Sequence, residues 1–196
     1  MKEIVLASAS PRRSELLRGI GIDFKVIPSN TDESFDPGLM PEEIAQMLSY
    51  RKALSVAEYL KNDSIVIGAD TIVVKDGILG KPRNKEEAFE MLKNLQGNWH
   101  EVITGVTLIA SVGFEYIKSF EKTRVKMRPL SDGEIESYIS TGEPMDKAGA
   151  YGIQRVGALL IEKIEGCYFN VVGLPLHRLN SMLEDFSVFL LNEIVK

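Results

Sequence analysis

Short apolar, β-branched runs alternate along this chain with longer stretches in which apolar residues recur at helical spacing. The short runs predict strands, because buried strands read as nearly continuous apolar segments. They cover residues 4–7, 24–27, 64–69 with a continuation over 71–74, 102–110, 114–125 and 158–164. The helical stretches cover residues 12–19, 41 to about 61, 85–95, 131–140 and 175–183, followed by an apolar tail from Phe186. This alternation predicts an α/β protein, with residues 1–196 in one domain.

Several helix ends carry their own signals. Pro41 opens a long amphipathic helix whose first turn is acidic, and Ser131 stands three residues before Glu134, which is the spacing of a capping box. Pro175 is expected at the first position of a later helix, and Gly19 or Gly21 is expected to end the first one.

The first strand runs into a turn rich in hydroxyl and basic residues, Ser8-Ala9-Ser10-Pro11-Arg12-Arg13. A helix N-terminus presents unpaired N–H groups and the positive end of the helix dipole. Acidic residues are normally favoured there, so two arginines indicate a bound anion, most simply a phosphate. The alternative is that Ser10 caps the helix and that both arginines are solvated.

Asp70 follows an apolar strand in the segment Val66-Ile67-Gly68-Ala69-Asp70-Thr71. A carboxylate at this point of an α/β sheet can hold a divalent cation or accept a proton from water. The alternative is an aspartate that merely shapes a turn, although strand-forming residues resume directly after Thr71. Asp32 and Glu33, in a polar loop, are ambiguous on their own.

Two further loops are candidates for ligand contact. Lys81 lies between Gly80 and Pro82, where a constrained backbone would reduce the entropy cost of aiming its ammonium group. In the segment 146–154, small residues would let the backbone approach a ligand, and Gln154 offers both a donor and an acceptor to a base edge. A solvated lysine and a plain glycine-rich loop are the competing interpretations.

Bulk properties narrow the classes of partner. The chain has 196 residues, 44% of them hydrophobic, and a formal net charge of -5, which argues against a nucleic-acid polymer as partner. Cys167 is the single cysteine, so no internal disulfide can form, and a buried structural thiol is expected. His100 and His177 show no metal-ligand pattern. Without a signal-peptide pattern or a membrane span, we expect a cytoplasmic protein.

Taken in order, these motifs resemble the Maf family of nucleoside triphosphate pyrophosphatases over nearly the whole chain. The matching segments are Leu6–Arg13, Asp32-Glu33, Lys52-Ala53, Gly68–Thr71, Gly80-Lys81-Pro82, Asp146–Gln154 and Val172–Pro175. The resemblance implies an elongated mixed β-sheet flanked by helices, with two lobes around a central cleft, as in the inosine-triphosphate pyrophosphatases. It also implies hydrolysis of a nucleoside triphosphate to the monophosphate and pyrophosphate with Mg²⁺ or Mn²⁺.

The resemblance assigns roles by position. Ser8, Arg12, Arg13, Lys52, Lys81 and Lys147 would neutralise phosphate charge, and Glu33 and Asp70 would orient a metal and the attacking water. The family makes Asp70 the proton acceptor, although the sequence alone does not separate a general base from a metal ligand. Arg12, Thr71 and Gln154 match the family branch that acts on dTTP and UTP, with Thr71 and Gln154 on the pyrimidine edge.

Alternatives within and outside the enzyme class stay open at this point. One is a pyrophosphatase for 7-methyl-GTP or a modified nucleotide, and another is a nucleotide-binding regulator of cell division with secondary hydrolysis. Arg155 stands where the family often has glycine, which bears on base selectivity. A homodimer is compatible with the resemblance, although no surface signal in the sequence indicates one.

Overall fold

The computed structural model describes residues 2–194; Met1, Val195 and Lys196, which the predicted domain 1–196 includes, lie outside the described residues. The strands are β1 (Glu3–Leu6), β2 (Lys25–Val26), β3 (Ser64–Val74), β4 (Ile78–Leu79), β5 (Trp99–Ala110), β6 (Tyr116–Met127) and β7 (Ile161–Glu165). The α-helices are α1 (Pro11–Gly19), α2 (Pro41–Ala57), α3 (Lys85–Leu95), α4 (Asp132–Ser140), α5 (Tyr168–Val172), α6 (Leu176–Asp185) and α7 (Leu190–Ile194). Three 3-10 helices cover Glu143–Asp146, Ala148–Ala150 and Arg155–Leu160.

The strands form one mixed, seven-stranded sheet in the order β2-β1-β3-β5-β6-β7, with β4 paired to β3. Strand β1 is parallel to β2 and β3, whereas β4 is antiparallel to β3 and β7 is antiparallel to β6. The predicted α/β class is therefore confirmed. Parallel β1 and β3 both lie inside the protein, which explains why their residues are apolar without alternation.

The chain divides into two compact units. The first comprises residues 1–70, 104–121 and 173–196, and the second comprises residues 71–103 and 122–172. The extent of a single domain over 1–196 stays a prediction. Strands β3, β5 and β6 each contribute residues to both units.

In the first unit, the two faces of β3 are covered by different helices. Ile65, Ile67 and Ala69 belong to a core cluster with Leu17 of α1 and Leu179 of α6. Val66, on the opposite face, joins a cluster with Ala53 and Val56 of α2. Because strand side chains alternate in direction, residues 66, 68 and 70 share the face that α2 covers.

The second unit has its own apolar core. Leu92 of α3, Val102 of β5, Val125 of β6 and Ile135 of α4 are buried in one cluster. Tyr151, which follows the 3-10 helix Ala148–Ala150, packs into the same cluster. The loop that contains Gln154 is therefore anchored by a buried aromatic residue three positions upstream.

Several predictions that rest on residues close together in sequence, chiefly those for helix ends, were confirmed. Helix α1 begins at Pro11, Gly21 follows its end with φ +74°, and Ser131 and Glu134 form both bonds of the capping box. Helix α3 has the predicted bounds, and Ala110 N donates to Glu115 O at 2.9 Å across the predicted turn between β5 and β6.

Other boundaries were wrong. Residues 158–160, predicted as strand, belong to the 3-10 helix Arg155–Leu160, because a run this short carries no period that separates the two. Helix α2 ends at Ala57 rather than near residue 61, since Tyr59 and Leu60 close tighter bonds to Val56 O and Ala57 O.

Smaller differences concern single residues and short elements. Pro175 is the N-cap of α6 rather than its first residue, and the strand predicted over 24–27 is limited to Lys25–Val26. The five-residue helix α5 and the two-residue strand β4 are too short to produce a pattern. Cys167 is partly exposed rather than buried, because it lies in the turn between β7 and α5.

Candidate functional site

Helix α2 approaches the sheet closely enough to bring its polar side chains to Asp70. A Cβ atom added to Gly68 would lie 2.2 Å from Ser49 O and 2.8 Å from Ala53 N, so only glycine fits beneath this turn of the helix. A Cβ at Gly105 of β5 would lie 2.1 Å from Ala45 O, and the hydroxyls of Ser49 and Thr107 are hydrogen-bonded at 2.8 Å. The helix is thus seated on two strands.

Lys52 extends from this helix and joins two carboxylates. Its Nζ lies 2.5 Å from Asp70 Oδ1 and 2.6 Å from Glu33 Oε1. The side chains of Lys52 and Asp70 are only 12% and 11% exposed, whereas that of Glu33 is 51% exposed. Three residues that are far apart in sequence therefore meet at one buried ammonium group with an opening on the Glu33 side.

Asp70 does not end a strand, contrary to the sequence prediction. It lies inside β3, which continues to Val74. Its position follows from strand alternation, because it shares a face with Gly68 and therefore points toward α2. The turn interpretation of Asp70 is excluded, and the carboxylate is held by Lys52 in the interior of the sheet.

The N-terminal turn lies beside this cluster through the pairing of β1 with β3. Leu6 is in register with Ile67, and Ala7 N donates to Ile67 O at 2.8 Å. Ser8 Oγ, directly after the strand, accepts from Ser10 N at 3.2 Å and from Arg13 Nη1 at 3.0 Å. With its acceptor positions used, the Ser8 hydroxyl retains a proton that it can donate to an anion.

Arg13 is buried and has a structural bond as well as a charge. Its Nε donates to Gly173 O at 2.8 Å, in a loop 160 residues further along the chain. Burial lowers the pKa of the Arg13 guanidinium; the carboxylates of Asp70 and Glu33 oppose that change, and the charge of Arg12 adds to it. The group remains positively charged at neutral pH, because arginine is not deprotonated in proteins.

The cap interpretation of this turn is not supported. Ser10 occupies the N-cap position of α1, but its side chain makes no capping hydrogen bond, and no acidic residue lies in the first turn. Arg12 is half-buried at the start of the same helix. The first unit therefore brings together six of the predicted site residues: Ser8, Arg12, Arg13, Glu33, Lys52 and Asp70.

The other four predicted residues, Thr71, Lys81, Lys147 and Gln154, belong to the second unit. Gly149 N donates to Gly80 O at 3.0 Å, which places the loop of Lys81 beside the loop of Lys147 and Gln154. Gly149 has φ +67°, and a Cβ there would lie 3.0 Å from Val73 Cγ1. The positive φ and the close approach of Val73 together explain why position 149 needs glycine.

Lys147 is engaged within its own loop. Its Nζ donates to Glu143 O and to Asp146 Oδ1, both at 2.6 Å, and its side chain is 13% exposed. Lys81 is exposed, and Thr71 and Gln154 are half-buried. Of the two predicted lysines in this unit, Lys81 is therefore the more accessible to a ligand.

The sequence did not predict a role for Glu143 or Tyr138. Tyr138 Oη donates to Glu143 Oε1 at 2.9 Å and accepts from Gly152 N at 3.2 Å. Glu143 also accepts from Val156 N at 3.3 Å and from Gly157 N at 3.0 Å. The available signal was a glutamate between glycine and proline, Gly142-Glu143-Pro144, shortly before the glycine-rich loop.

His100 is buried against Tyr151, a residue of the second unit's core that lies 51 positions further along the chain. Its Nε2 is 2.6 Å from Tyr151 Oη, and the residue is 3% exposed. Burial, with a smaller effect of the Lys75 charge, lowers the pKa of His100 to about 4. His100 is therefore neutral near pH 7 and supports the loop through Tyr151.

Comparisons with known proteins place the whole chain in a family and leave the roles of single residues untested. The profile of a family described as "Maf-like protein" matches residues 3–186. The chain is 54% identical to a protein of Acetivibrio thermocellus named "dTTP/UTP pyrophosphatase", over 99% of this chain and 100% of that protein. It is 56% identical to a protein of the same name from Thermoanaerobacter sp., over 96% of this chain and 100% of that protein.

One solved structure, the Staphylococcus aureus Ham1 protein, aligns with 82% of this chain and 80% of its own at a TM-score of 0.43 and 19% identity. At these values the likeness carries no inference about this chain. The similarity that does carry weight is that of the two full-length relatives and of the family profile, because they span almost the entire sequence.

Proposed function

The chain belongs to the Maf family, and on that premise we propose that it hydrolyses dTTP and UTP to the nucleoside monophosphate and pyrophosphate. Relatives 54% and 56% identical, covered over their whole length, bear that activity in their names. The proposal includes a cytoplasmic location, where the single thiol of Cys167 would stay reduced.

The observation that carries the proposal is the convergence of Glu33 and Asp70 on Lys52. A nucleoside triphosphate needs positive charge to neutralise its phosphates and a carboxylate to accept the proton of the attacking water. Lys52 supplies the first and Asp70 the second, at a separation of 2.5 Å. In the reaction the water oxygen bonds to the α-phosphorus, the bond to the bridging oxygen breaks, and pyrophosphate leaves.

Glu33 and Asp70 fit a divalent cation. Carboxylate oxygens of both residues already lie within 2.6 Å of one positive charge, and Mg²⁺ is commonly held by one or two carboxylates together with substrate phosphates. Within residues 2–194 no group of three or more His, Cys, Asp or Glu could hold a metal on its own. Bound Mg²⁺ or Mn²⁺ would neutralise phosphate charge and acidify a coordinated water.

The remaining assignments follow from the resemblance and from each residue's chemistry. Ser8 can donate its hydroxyl proton to a phosphate oxygen, and Arg13 fixes that hydroxyl while adding charge. Lys81 and Arg12 would contact phosphate, with Lys147 as a further contributor. Thr71 and Gln154 would contact the pyrimidine edge.

A pyrophosphate-release assay over natural and modified triphosphates, with Mg²⁺ or Mn²⁺, tests the proposal. We expect dTTP and UTP to be the preferred substrates and Asp70→Asn to lower the rate by about 10²–10⁴-fold. Asp23→Asn, at an exposed position on the loop before β2, is the matched control and should keep the wild-type rate. Wild-type protein that releases no pyrophosphate from dTTP or UTP would overturn the proposal.

A further inference from the structure

Residues 152–157 form a closed loop around Gln154, and both ends of that loop bond to the same pair of side chains. Gly152 N donates to Tyr138 Oη, Gly157 N donates to Glu143 Oε1, and Tyr138 Oη donates to that same oxygen. The closure is tight: a Cβ on Gly157 would lie 2.1 Å from Gly152 O. Tyr138 and Glu143 thus act as a clamp on the loop.

Glu143 caps the 3-10 helix Arg155–Leu160, a role that usually belongs to the N-cap residue, which here is Gln154. Gln154 is the N-cap of the 3-10 helix Arg155–Leu160, yet its side chain makes no capping bond. The N–H groups of Val156 and Gly157, which an N-cap side chain would normally satisfy, are accepted by the Glu143 carboxylate instead. The amide of Gln154 is therefore spared from capping.

The loop needs such support because its backbone is strained beside Gln154. Arg155 has φ +53°, a left-handed conformation that costs energy for a residue with a side chain. Such a conformation persists only when surrounding contacts fix it. Three hydrogen bonds to one carboxylate, on Oε1 from Tyr138 and Gly157 and on Oε2 from Val156, supply those contacts.

We propose that Glu143, with Tyr138, is a positioning residue for base selection: it caps the turn in place of Gln154 and so fixes the Gln154 amide for the nucleobase. This inference rests on the proposed function. Both carboxylate oxygens of Glu143 already accept hydrogen bonds, from Tyr138 of α4 and from the backbone of Val156 and Gly157, so the residue acts through Gln154 and does not itself touch the substrate.

The sharpest comparison is dTTP with dCTP, which have similar size but opposite polarity at base position 4. Thymine presents a carbonyl acceptor there, and cytosine presents an amino donor. A glutamine amide has both a donor and an acceptor, so it discriminates only if its position and orientation are fixed. Loss of the clamp should therefore reduce discrimination more than it reduces turnover.

The test measures kcat and KM for dTTP and dCTP in the full-length protein. Glu143→Gln and Tyr138→Phe should each lower the dTTP-over-dCTP ratio of kcat/KM by about tenfold, since a misplacement of about 1 Å can cost up to about 10²-fold and loss of the clamp should shift the Gln154 amide by less. The kcat for dTTP should fall by less than about threefold, because the phosphate-contacting residues stay in place. In a Gln154→Ala background, Glu143→Gln should change the ratio no further.

Glu134→Gln is the matched control. Glu134 also accepts from the backbone of its own segment, at Ser131 N, and pairs with Arg128, but its contacts lie at the start of α4. Its loss should leave the ratio at the wild-type value even if the melting temperature falls. A Glu143→Gln ratio equal to wild type would overturn the proposal, and so would an equal change in the Gln154→Ala background.

Failure of the proposed function can be told apart from failure of the clamp. If the proposed function were wrong, wild-type protein would release no pyrophosphate from dTTP or UTP. The clamp would then be tested by binding, with Kd values for dTTP and dCTP measured in the same variants. A Kd ratio that Glu143→Gln and Tyr138→Phe leave unchanged would overturn the clamp, whereas a reduced ratio would support it. Tyr138→Phe keeps the test valid if Glu143→Gln does not fold.

Discussion

The carbonyl oxygen of Ser49 occupies the space that a side chain on Gly68 would need, 2.2 Å from where its Cβ would stand. This contact sets the distance between α2 and β3. Because Lys52 is on that helix and Asp70 is on the same face of that strand, the contact also sets the distance between the ammonium and the carboxylate. The absence of a side chain at Gly68 thus determines whether Lys52 can reach Asp70.

Gly68→Ala should therefore affect stability and activity together. The added methyl group must displace helix backbone, and overpacking of this kind costs about 1–3 kcal/mol. Urea unfolding and pyrophosphate release measured on the same sample would check both effects. Gly19→Ala is the control, because a Cβ there meets nothing within 4 Å, and its stability should stay near that of wild type.

Lys52→Met should lower the rate of pyrophosphate release by about 10²–10³-fold, the usual effect of removing one preorganised charge from a site. Glu33 and Asp70 would lose the cation that they share, while the alkyl part of the side chain would still fill its space. Steady-state kinetics with dTTP would measure the change.

Lys61→Met gives the comparison for a general effect of lost charge. Lys61 is exposed beyond the end of α2 and lies outside the cluster of Lys52, Glu33 and Asp70, so its replacement should leave the rate within about twofold of wild type. Equal losses in the two variants would contradict a specific role for Lys52.

Arg13→Lys should destabilise the fold by about 1–3 kcal/mol, because one ammonium group cannot replace the two directed bonds to Gly173 O and Ser8 Oγ. Chemical denaturation would measure the difference. Arg18→Lys, on the exposed side of the same helix, should change stability by less than about 0.5 kcal/mol.

The two neighbouring arginines should also differ in kinetics. Arg13→Lys should weaken catalysis for all triphosphates alike, whereas Arg12→Ala should also change the preference between them. Comparison of kcat/KM for dTTP, UTP and a purine triphosphate would show the difference. Equal changes of preference in both variants would refute it.

His100 should make stability depend on pH in a defined window. Its pKa is about 4 in the folded protein against an ordinary value of 6.5, so between these values the unfolded chain binds more protons. The contribution of neutral His100 to the free energy of unfolding is therefore fully present above pH 6.5. It is lost as the pH falls toward 4, by roughly 3 kcal/mol in total. Urea unfolding across this range would measure the slope.

His100→Gln should remove most of that slope, since glutamine does not titrate. His177 is the natural comparison, because it is exposed and is the other histidine of the chain. His177→Gln should preserve the wild-type dependence on pH. If His100→Gln preserved it too, the pH dependence would originate elsewhere.

Local signals in the sequence predicted local structure. The capping box of Ser131 and Glu134 and the bounds of α3 depend on contacts near each helix end, and both were confirmed. The 3-10 helix Arg155–Leu160 depends on Glu143, more than ten residues upstream, and was therefore mistaken in part for a strand.

The candidate site shows the same division. Family motifs identified Lys52 and Asp70 as candidate site residues. No spacing rule in the sequence predicts the ion pair between them, because that pair depends on how α2 packs on Gly68. The setting of Glu143 between Gly142 and Pro144 did not reveal its role, since its three donors become neighbours only after the loop closes. The chemistry of the candidate site could be inferred from its residue types. The contacts by which these residues hold one another in place could be seen only in the folded structure.

The bond between Arg13 and Gly173 has a consequence for biosynthesis. On the ribosome, the N-terminal turn with Ser8 and Arg13 is made first, but its carbonyl partner and the apolar cover from Leu179 are translated more than 150 residues later. Domains generally fold as units during synthesis. The turn therefore acquires its final form only after Gly173 and α6 have been translated, and premature termination before α6 would yield a chain with no working first unit.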